Sequence, residues 1–285
     1  MKETIGFIGQ GWIGKNYADD FEARGYTIVR YGLEPEYSGN KEAIGACDVV
    51  FIAVPTPTTP EGFDSSALRS ALPLVGKGKI AVLKSTMLPG TTEELQNLFP
   101  EILVLNSPEF LREANAAYDA AHPGRNIIGI PKEDPLYQEA ALKVLSVLPT
   151  APFSKVMSAR AAELTKYSGN VFLAMKVVYA NMLYDFADAL GVEYESVRDA
   201  LGADPRIGYS HLQPIDASGH SNTSGRGAGG HCFIKDLEAF RILHDSVRND
   251  LEGSALLAAL IKKNNRLLLD SGKDIDLLEA TYGPQ

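Results

Sequence analysis

A glycine-rich turn near the N-terminus constrains the fold more than any other feature of the chain. Gly9, Gly11 and Gly14 form the pattern G-x-G-x-x-G, directly after the apolar run Thr4–Ile8 and ahead of the amphipathic segment Ile13–Arg24. Between a strand and a helix, this spacing lets the backbone approach a pyrophosphate, which the helix N-terminus attracts. The alternative is a turn that serves helix–sheet packing alone. The pattern predicts a dinucleotide-binding domain whose cofactor contacts Gly9, Gly11, Trp12, Ile13 and Gly14.

Short apolar runs alternate with amphipathic segments through the first half of the chain. The runs are rich in β-branched residues and bounded by Gly, Pro, Asn or charge, as buried parallel strands are. They are Thr4–Ile8, Thr27–Tyr31, Val49–Val54, Ile80–Leu83, Ile102–Leu105 and Ile127–Ile130. This alternation predicts an α/β fold, with a Rossmann-like doubly wound parallel sheet over residues 1–150.

The second half changes character after Pro149-Thr150-Ala151-Pro152, where strand-like runs end. A helix without proline is predicted from about Ser158 to Leu190, and its charged residues exclude a membrane span. Residues 151–285 are therefore predicted to form an all-helical domain around a long central helix. Its other predicted elements are helices over Tyr194–Leu201, Lys235–Val247 and Gly253–Leu269, and a loop over Gly202–Gly230.

The composition limits the partners and the location of the protein. The chain has 285 residues, enough for about two domains, and a formal net charge of −9. Such a surface does not favour nucleic acid or an anionic membrane. Two cysteines are too few for a disulfide framework, five histidines are scattered, and no signal peptide is evident. We expect a cytoplasmic protein with no nucleic-acid, membrane or metal partner.

The end of the second predicted strand bears on the choice of cofactor. In NAD sites an acidic residue at that point binds the ribose hydroxyls. The chain reads Arg30-Tyr31-Gly32-Leu33-Glu34, so the acid stands slightly late. Either Glu34 supplies the carboxylate, or Arg30 helps to accommodate the 2′-phosphate of NADP. NAD is the preferred cofactor.

Seven blocks of sequence extend this interpretation beyond the cofactor domain. In chain order they are Gly6–Gly11, Asp48–Pro57, Lys84–Thr86 with Pro89–Thr91, Ser107–Glu113, Lys166–Asn170, Arg206–Gly208 and Gly229–Asp236. Together they resemble the UDP-glucose/GDP-mannose 6-dehydrogenase family, the nucleotide-sugar dehydrogenases. The resemblance implies oxidation of a sugar CH2OH to a carboxylate in two hydride transfers to NAD, and a homodimer formed through the long helix.

The resemblance assigns Cys232 as the nucleophile that holds the aldehyde as a thiohemiacetal and then as a thioester. A thiol needs a nearby cation or base to react at neutral pH, and His231 and Lys235 stand close in sequence. The alternative is a small buried hydrophobic residue. Cys47 has no such context and is interpreted as structural.

Lys166 and Asn170 stand four residues apart, on one face of the long helix. A lysine beside a neutral amide can stabilise a developing alkoxide, although a solvated lysine is the alternative. By resemblance Asp236 joins them, and Thr86 and Glu109 handle the hydrolytic water. The alternative for Glu109 is an acid at a helix N-terminus.

The resemblance also implies contacts with cofactor and substrate. Lys235 would meet substrate or the thiol, or else pair with Asp236; Arg206 would reach a neighbouring subunit's substrate, or else is an exposed loop arginine. Cofactor contacts beyond the glycine turn are predicted at Glu34, Pro55, Thr56, Thr86 and Lys235. Substrate contacts are predicted at Glu109, Phe110, Leu111, Lys166, Asn170, Arg206 and Gly229.

The chain departs from the family pattern in ways that concern the substrate. Family members continue into a third domain that holds the nucleotide, and we expect a short form that lacks it. Ile234 replaces the usual proline, and the stretch Tyr209–Ser224 looks enlarged, so it covers the substrate or is a mobile linker. Two other functions stay open: a 3-hydroxyacid dehydrogenase with a single hydride transfer, and a non-catalytic NAD-binding remnant.

Overall fold

The computed structural model describes residues 2–112, 115–221 and 223–284. The chain divides into two compact units. The first unit comprises residues 1–56 and 64–166, and the second comprises residues 57–63 and 167–285. The boundary predicted at residue 150 thus lies ahead of the point where the contacts divide the chain.

The strands are short, and most belong to the first unit. In chain order they are β1 (Ile5–Ile8), β2 (Ile28–Tyr31), β3 (Val49–Ile52), β4 (Thr58–Thr59), β5 (Gly62–Phe63), β6 (Ile80–Leu83), β7 (Leu103–Asn106), β8 (Arg125–Ile130), β9 (Phe153–Ser158), β10 (Ile215–Ala217) and β11 (Ser224–Arg226).

Helices separate the strands of the first unit and make up most of the second. They are α1 (Trp12–Ala23), α2 (Lys41–Ala46), α3 (Ser66–Ala71), α4 (Thr91–Leu98), α5 (Ala116–Ala121), α6 (Pro135–Val147), α7 (Ala159–Ala189), α8 (Tyr194–Gly202), α9 (Gly230–Val247), α10 (Leu251–Ser271) and α11 (Ile275–Tyr282). Short 3-10 turns cover Ser38–Asn40 and Leu72–Leu74.

Seven strands form one sheet in the order β2-β1-β3-β6-β7-β8-β9. The first five are parallel, with Ile5 opposite both Ile28 and Val49. From β1 the chain moves to β2 on one side and returns to β3 on the other, which opens a crevice at the carboxyl ends of β1 and β3. The predicted α/β sheet is confirmed, although β8 runs antiparallel to β7.

An aromatic cluster fixes α1 against this sheet. Phe7 on β1 stacks on Phe51 of β3 at 5.2 Å between ring centroids. Phe21 of α1 meets Phe7 edge-on at 5.4 Å. All three rings are buried, and burying each contributes roughly 2–3 kcal/mol. The packing holds the start of α1 at the end of β1.

The sequence-based prediction is wrong at several elements. Strand β9 lies beyond Pro152, where strands were predicted to end; it pairs with β8 at the edge of the sheet, and its residues Phe153–Lys155 are exposed. An exposed edge strand lacks the apolar run that reveals a buried one. Helix α9 begins at Gly230, five residues before its predicted start. The second unit is also not purely helical, because it contains the two-stranded ladders β4–β5 and β10–β11.

The long central helix is present as α7, which has 31 residues. In the second unit its buried face packs Val171 and Val177 against Leu237 of α9 and Leu257 of α10. Among the described residues, no helix is both long and apolar enough to cross a membrane.

Candidate active site

The glycine turn after β1 has the backbone that a bound pyrophosphate requires. Gly9 has a φ of +90°, in the left-handed region that favours glycine. A Cβ on Gly9 would overlap the Ala53 carbonyl, and one on Gly14 would overlap the Gly9 carbonyl. A Cβ on Gly11, in contrast, would meet nothing within 4 Å. The space beside the first N–H groups of α1 is thus open, as a dinucleotide needs.

The second predicted strand lacks an acid at the usual place, and Glu34 lies slightly after that place. Its carboxylate folds back against Gly32, just after β2, so that a Cβ on Gly32 would overlap it. Arg30 instead turns toward α1, where it pairs with Asp19 at 2.8 Å and Glu22 at 3.0 Å. The carboxylate therefore lies beside the chain just after β2, its contact with the cofactor ribose stays a prediction, and the arginine that was an alternative for a 2′-phosphate is engaged elsewhere.

Two threonines meet at the carboxyl ends of neighbouring strands. Thr56 follows β3 and Thr86 follows β6, and the Thr56 hydroxyl donates to the Thr86 carbonyl at 2.7 Å. Thr56 is buried, while Thr86 is half-buried and Pro55 is exposed. The bond fixes the rim of the crevice on the side opposite Glu34.

A buried ion pair joins the segment after β7 to α7 within the first unit. Lys166 Nζ donates to Glu109 Oε1 at 2.7 Å, and the side chains are 7% and 2% exposed. The other Glu109 oxygen accepts the Leu111 N–H at 2.8 Å. Removing either charge would leave the other buried and uncompensated, at a cost of about 3–5 kcal/mol. Lys166 is therefore not the solvated lysine of the alternative interpretation.

Phe110 shields the same ion pair. Lys166 Nζ lies 5.7 Å from the centroid of its ring, and the Arg125 guanidinium lies 3.7 Å from it. Phe110 and Leu111 are half-buried. Glu109 lies in a segment without regular secondary structure rather than at a helix N-terminus. The structure thus places Glu109, Phe110 and Lys166 together, and their role toward substrate stays a prediction.

Lys84 is a second buried lysine beside this group, and sequence analysis gave it no role. Its Nζ lies 3.3 Å from the Ser107 hydroxyl and 4.2 Å from the centroid of the Tyr17 ring. Burial lowers the pKa of Lys84 to about 7, and the nearby Glu109 carboxylate acts in the opposite direction. A charged residue directly after the buried strand β6 was the signal in the sequence.

Glu163 anchors the loop that carries Thr86. Its carboxylate accepts the N–H groups of Gly90 at 2.6 Å and Thr92 at 2.8 Å, and the Thr92 hydroxyl at 2.6 Å. These donors open α4, whose first N–H groups have no acceptor within the helix. Burial raises the pKa of Glu163 to about 7, against the effect of these hydrogen bonds. Sequence analysis did not identify this residue.

A second polar group lies in the second unit, between α7 and α9. Asn170 Nδ2 donates to Asp236 Oδ2 at 2.6 Å. Lys235 Nζ donates to the other oxygen, Oδ1, at 2.6 Å. Asp236 is fully buried, so both contacts compensate its charge. The structure thus places three predicted residues together, and Lys235 makes the ion pair that was its alternative role.

Cys232 lies in the first turn of α9, one turn before Asp236 and on the same face. It is half-buried, whereas Cys47 is fully buried. Burial raises the pKa of the Cys47 thiol to about 11. The partial positive charge of a helix N-terminus favours a thiolate at the position of Cys232. The two cysteines thus differ in burial, and the role of Cys232 as nucleophile stays a prediction.

Two predicted substrate residues have other immediate partners. Arg206 lies on the surface with its side chain 87% exposed, and it pairs with Asp204. Gly229 precedes α9, and a Cβ there would overlap the Asp274 carboxylate. Among residues 2–112, 115–221 and 223–284, no three His, Cys, Asp or Glu side chains gather in a way that could hold a metal ion.

Two family models match the chain. The NAD-binding domain of the UDP-glucose/GDP-mannose dehydrogenase family matches residues 35–145, and the family's central domain matches residues 160–266. The chain belongs to the UDP-glucose/GDP-mannose dehydrogenase family. NAD is therefore its cofactor, in agreement with the glycine turn and the position of Glu34.

Similar proteins of known name support this membership. The UDP-glucose 6-dehydrogenase YwqF of Bacillus subtilis is 30% identical over 285 residues, covering 90% of this chain and 59% of that protein. The solved UDP-glucose dehydrogenase of Pyrobaculum islandicum is 30% identical with a TM-score of 0.77, covering 93% of this chain and 68% of that one. The chain spans about half the length of the curated relatives it matches.

A likeness of fold extends to a different class of dehydrogenase. The 3-hydroxyisobutyrate dehydrogenase of Mycobacterium tuberculosis has a TM-score of 0.72 and covers 99% of this chain, with 99% of its own chain covered. The two are 17% identical. The family's architecture is thus shared with an enzyme named for a hydroxyacid, and the chemistry depends on the site residues.

Proposed function

We propose that this protein is an NAD-dependent nucleotide-sugar 6-dehydrogenase that oxidises a 6-hydroxymethyl group to a carboxylate. The observation that carries the proposal is that the half-buried Cys232 lies one turn from the buried Asp236 on the same face of α9. Asn170 contacts this Asp236. A single oxidation of an alcohol needs no nucleophile. A thiol held one turn from a buried carboxylate suits a covalent second step.

The first oxidation would use the polar residues of α7. NAD, when bound, would supply the hydride acceptor for both oxidations. Lys166 and Asn170, one turn apart, would stabilise the negative charge that develops on the alcohol oxygen. A water held by Asn170 and Asp236 would accept the hydroxyl proton. The Glu109 contact at 2.7 Å orients Lys166 in a buried place.

The second oxidation would proceed on Cys232. Its sulfur would add to the aldehyde carbon to give a thiohemiacetal, and loss of a hydride to a second NAD and of the hydroxyl proton to water would give a thioester. By the resemblance, Thr86, Glu109 and Asp236 would handle the water that then attacks the thioester carbon; the C–S bond breaks, and the acid leaves with the thiol restored. The start of α9 favours the thiolate that leaves in this last step.

The test is the number of NADH formed per sugar, measured by NADH absorbance with UDP-glucose, UDP-N-acetylhexosamines and GDP-mannose. We expect two NADH per sugar from the wild type and the loss of this turnover in Cys232→Ala. Cys47→Ala, the matched control, should retain it. One NADH per turnover with an undiminished Cys232→Ala enzyme would instead contradict the thioester mechanism.

A homodimer is part of the proposal because α7 has an exposed apolar face. Its side chains recur every three, four or seven residues along the helix; they are Phe172, Tyr179, Met182 and Phe186. Sedimentation should show a dimer for the wild type and a monomer for Phe172→Glu/Phe186→Glu. A monomeric wild type would contradict this part of the proposal and leave the chemistry untouched.

A further inference from the structure

The turn ahead of Cys232 is held by a carboxylate that comes from a distant part of the second unit. Asp274 lies between α10 and α11, and its Oδ2 accepts the Gly230 N–H at 2.7 Å. Its Oδ1 accepts the Ser218 hydroxyl at 2.9 Å and the Ser221 hydroxyl at 3.3 Å. Gly230 is the first residue of α9. One buried side chain thus bonds both the start of that helix and the loop before it.

The shape of the turn depends on the presence of this carboxylate. A Cβ on Gly229 would overlap Asp274 Oδ2. Gly230 has a φ of +76°, a conformation that other residues seldom adopt. A glycine is therefore required at each position for a separate physical reason. Gly229 leaves room for Asp274, and Gly230 lets the chain turn into α9.

Asp274 is itself held in an unusual backbone conformation. Its φ is +52°, in the left-handed region, and such strain is retained only where the surroundings determine it. The neighbouring Lys273 is buried, and its Nζ donates to the Gly227 carbonyl at 3.0 Å. Lys273 and Asp274 thus contact the chain on both sides of Gly229.

A third contact extends this link to the residue next to Cys232. Asp276 Oδ2 lies 2.7 Å from His220 Nε2, and His220 Nδ1 lies 3.0 Å from His231 Nε2. These residues are partly exposed, so the contact is weaker than that of Asp274. The segment Gly272–Asp276 lies after residue 266, where the match to the family's central domain ends.

We propose that Asp274 is a positioning residue for Cys232. From the junction of α10 and α11 it fixes the Gly229–Gly230 turn and so sets where the first turn of α9 presents the thiol. The catalytic consequence rests on the proposed role of Cys232. Asp274 touches neither substrate nor cofactor in this role; it acts through the backbone of the turn.

The test measures the reactivity of the thiol, which does not require a substrate. Cys232 is alkylated with iodoacetamide over a range of pH and followed by mass spectrometry, with buried Cys47 as the internal reference. Asp274→Ala removes the acceptor, whereas Asp274→Asn retains a carbonyl for the Gly230 N–H. We expect Asp274→Ala to slow Cys232 alkylation at neutral pH about fivefold, because the thiolate loses its place at the helix N-terminus. Asp274→Asn should react at least as fast as the wild type.

The variants separate positioning from charge alone. If only the negative charge of Asp274 mattered, Asn and Ala would both speed alkylation, which would overturn the proposal; so would a wild-type profile in Asp274→Ala. Asp270→Ala, an exposed acid on α10 that pairs with Arg266 at 2.8 Å, is the matched control and should match the wild type. If Asp274→Ala does not fold, Gly229→Ala serves instead, because its methyl group displaces the carboxylate.

The outcome is independent of turnover on any sugar. Two-hydride turnover that persists in Cys232→Ala would contradict the proposed function and leave the alkylation comparison valid. If both proposals hold, Asp274→Ala should lower kcat about tenfold to a hundredfold, because small displacements of a reacting group are costly. Its KM for NAD should stay unchanged, since the glycine turn belongs to the first unit.

Discussion

Glu163 and Asp274 are buried carboxylates that have the same local role in different units. Glu163 accepts N–H groups at the start of α4, and Asp274 accepts the first N–H of α9. In each unit the helix begins after a turn that contains a predicted site residue or lies next to one. In each unit a carboxylate from another element thus fixes the start of a helix, rather than a cap from the local sequence.

The two anchors differ in what holds the carboxylate itself. Glu163 lies within α7, three residues before Lys166, so one regular helix orients both side chains. Asp274 lies in strained backbone between two helices. Its partners in the loop before α9 are the hydroxyls of the short side chains Ser218 and Ser221. The first anchor is rigid because of its helix, while the second depends on a junction. We therefore expect the first to affect stability more and the second to affect reactivity more.

The largest expected effect is the loss of the Glu163 anchor. Glu163→Ala leaves two buried N–H groups at the start of α4 without their acceptor, and the free energy of unfolding should fall by about 3–5 kcal/mol. Urea denaturation measures it. Glu94→Ala, which removes an exposed acid of the same helix, should change stability by less than about 0.5 kcal/mol. Equal effects of the two variants would refute the anchor.

A pH dependence sharpens the same side of the comparison. The pKa of Glu163 is about 7 in the folded chain, against an ordinary value near 4.5. The folded state therefore binds more protons between these values, and this group makes stability fall as pH rises from about 4.5 to about 7. The contribution is up to about 3 kcal/mol. Glu163→Gln should flatten that slope, and an unchanged slope would contradict the assignment.

Asp274→Ala should cost less stability than Glu163→Ala. It removes one acceptor of a buried N–H group, so the expected loss is about 1–3 kcal/mol. Thermal and urea unfolding of both variants under identical conditions provide the measurement. A loss as large as that of Glu163→Ala would break the comparison, because the junction would then be as important for stability as the helix.

The smallest effect is expected at the partly exposed histidine contact. His220→Gln removes its link to Asp276, whose side chain is 69% exposed, and should change stability by less than about 1 kcal/mol. The same unfolding measurement detects it. A larger loss would mean that the histidine contacts, rather than Asp274, hold α11 to the Gly229–Gly230 turn.

Much of the fold was predictable because its signals are local. The strands β1, β3 and β6 are short apolar runs that are buried on both faces, and the glycine turn requires its residues for reasons that involve only nearby backbone. Glu109 and Lys166 were predicted by resemblance, but no local pattern indicated that they pair. Their contact depends on how β7 and α7 pack.

The residues that were missed depend on contacts between distant segments. In the sequence Asp274 resembles any acid ahead of a helix. Its specific role comes from its contact with the distant Gly230 N–H. The start of α9 was missed for the same reason, since two glycines are poor helix formers and the acceptor for Gly230 comes from elsewhere. Strand β9 was missed because an exposed edge strand has no apolar pattern.

The position of Trp12 has a practical consequence. It is the only tryptophan in the chain, and it is the first residue of α1, next to the open space at Gly11. Its fluorescence should therefore respond when NAD fills that space. Its emission overlaps the absorption of NADH but not that of NAD, so energy transfer distinguishes the two. We therefore expect the fluorescence of Trp12 to report whether the bound cofactor is oxidised or reduced.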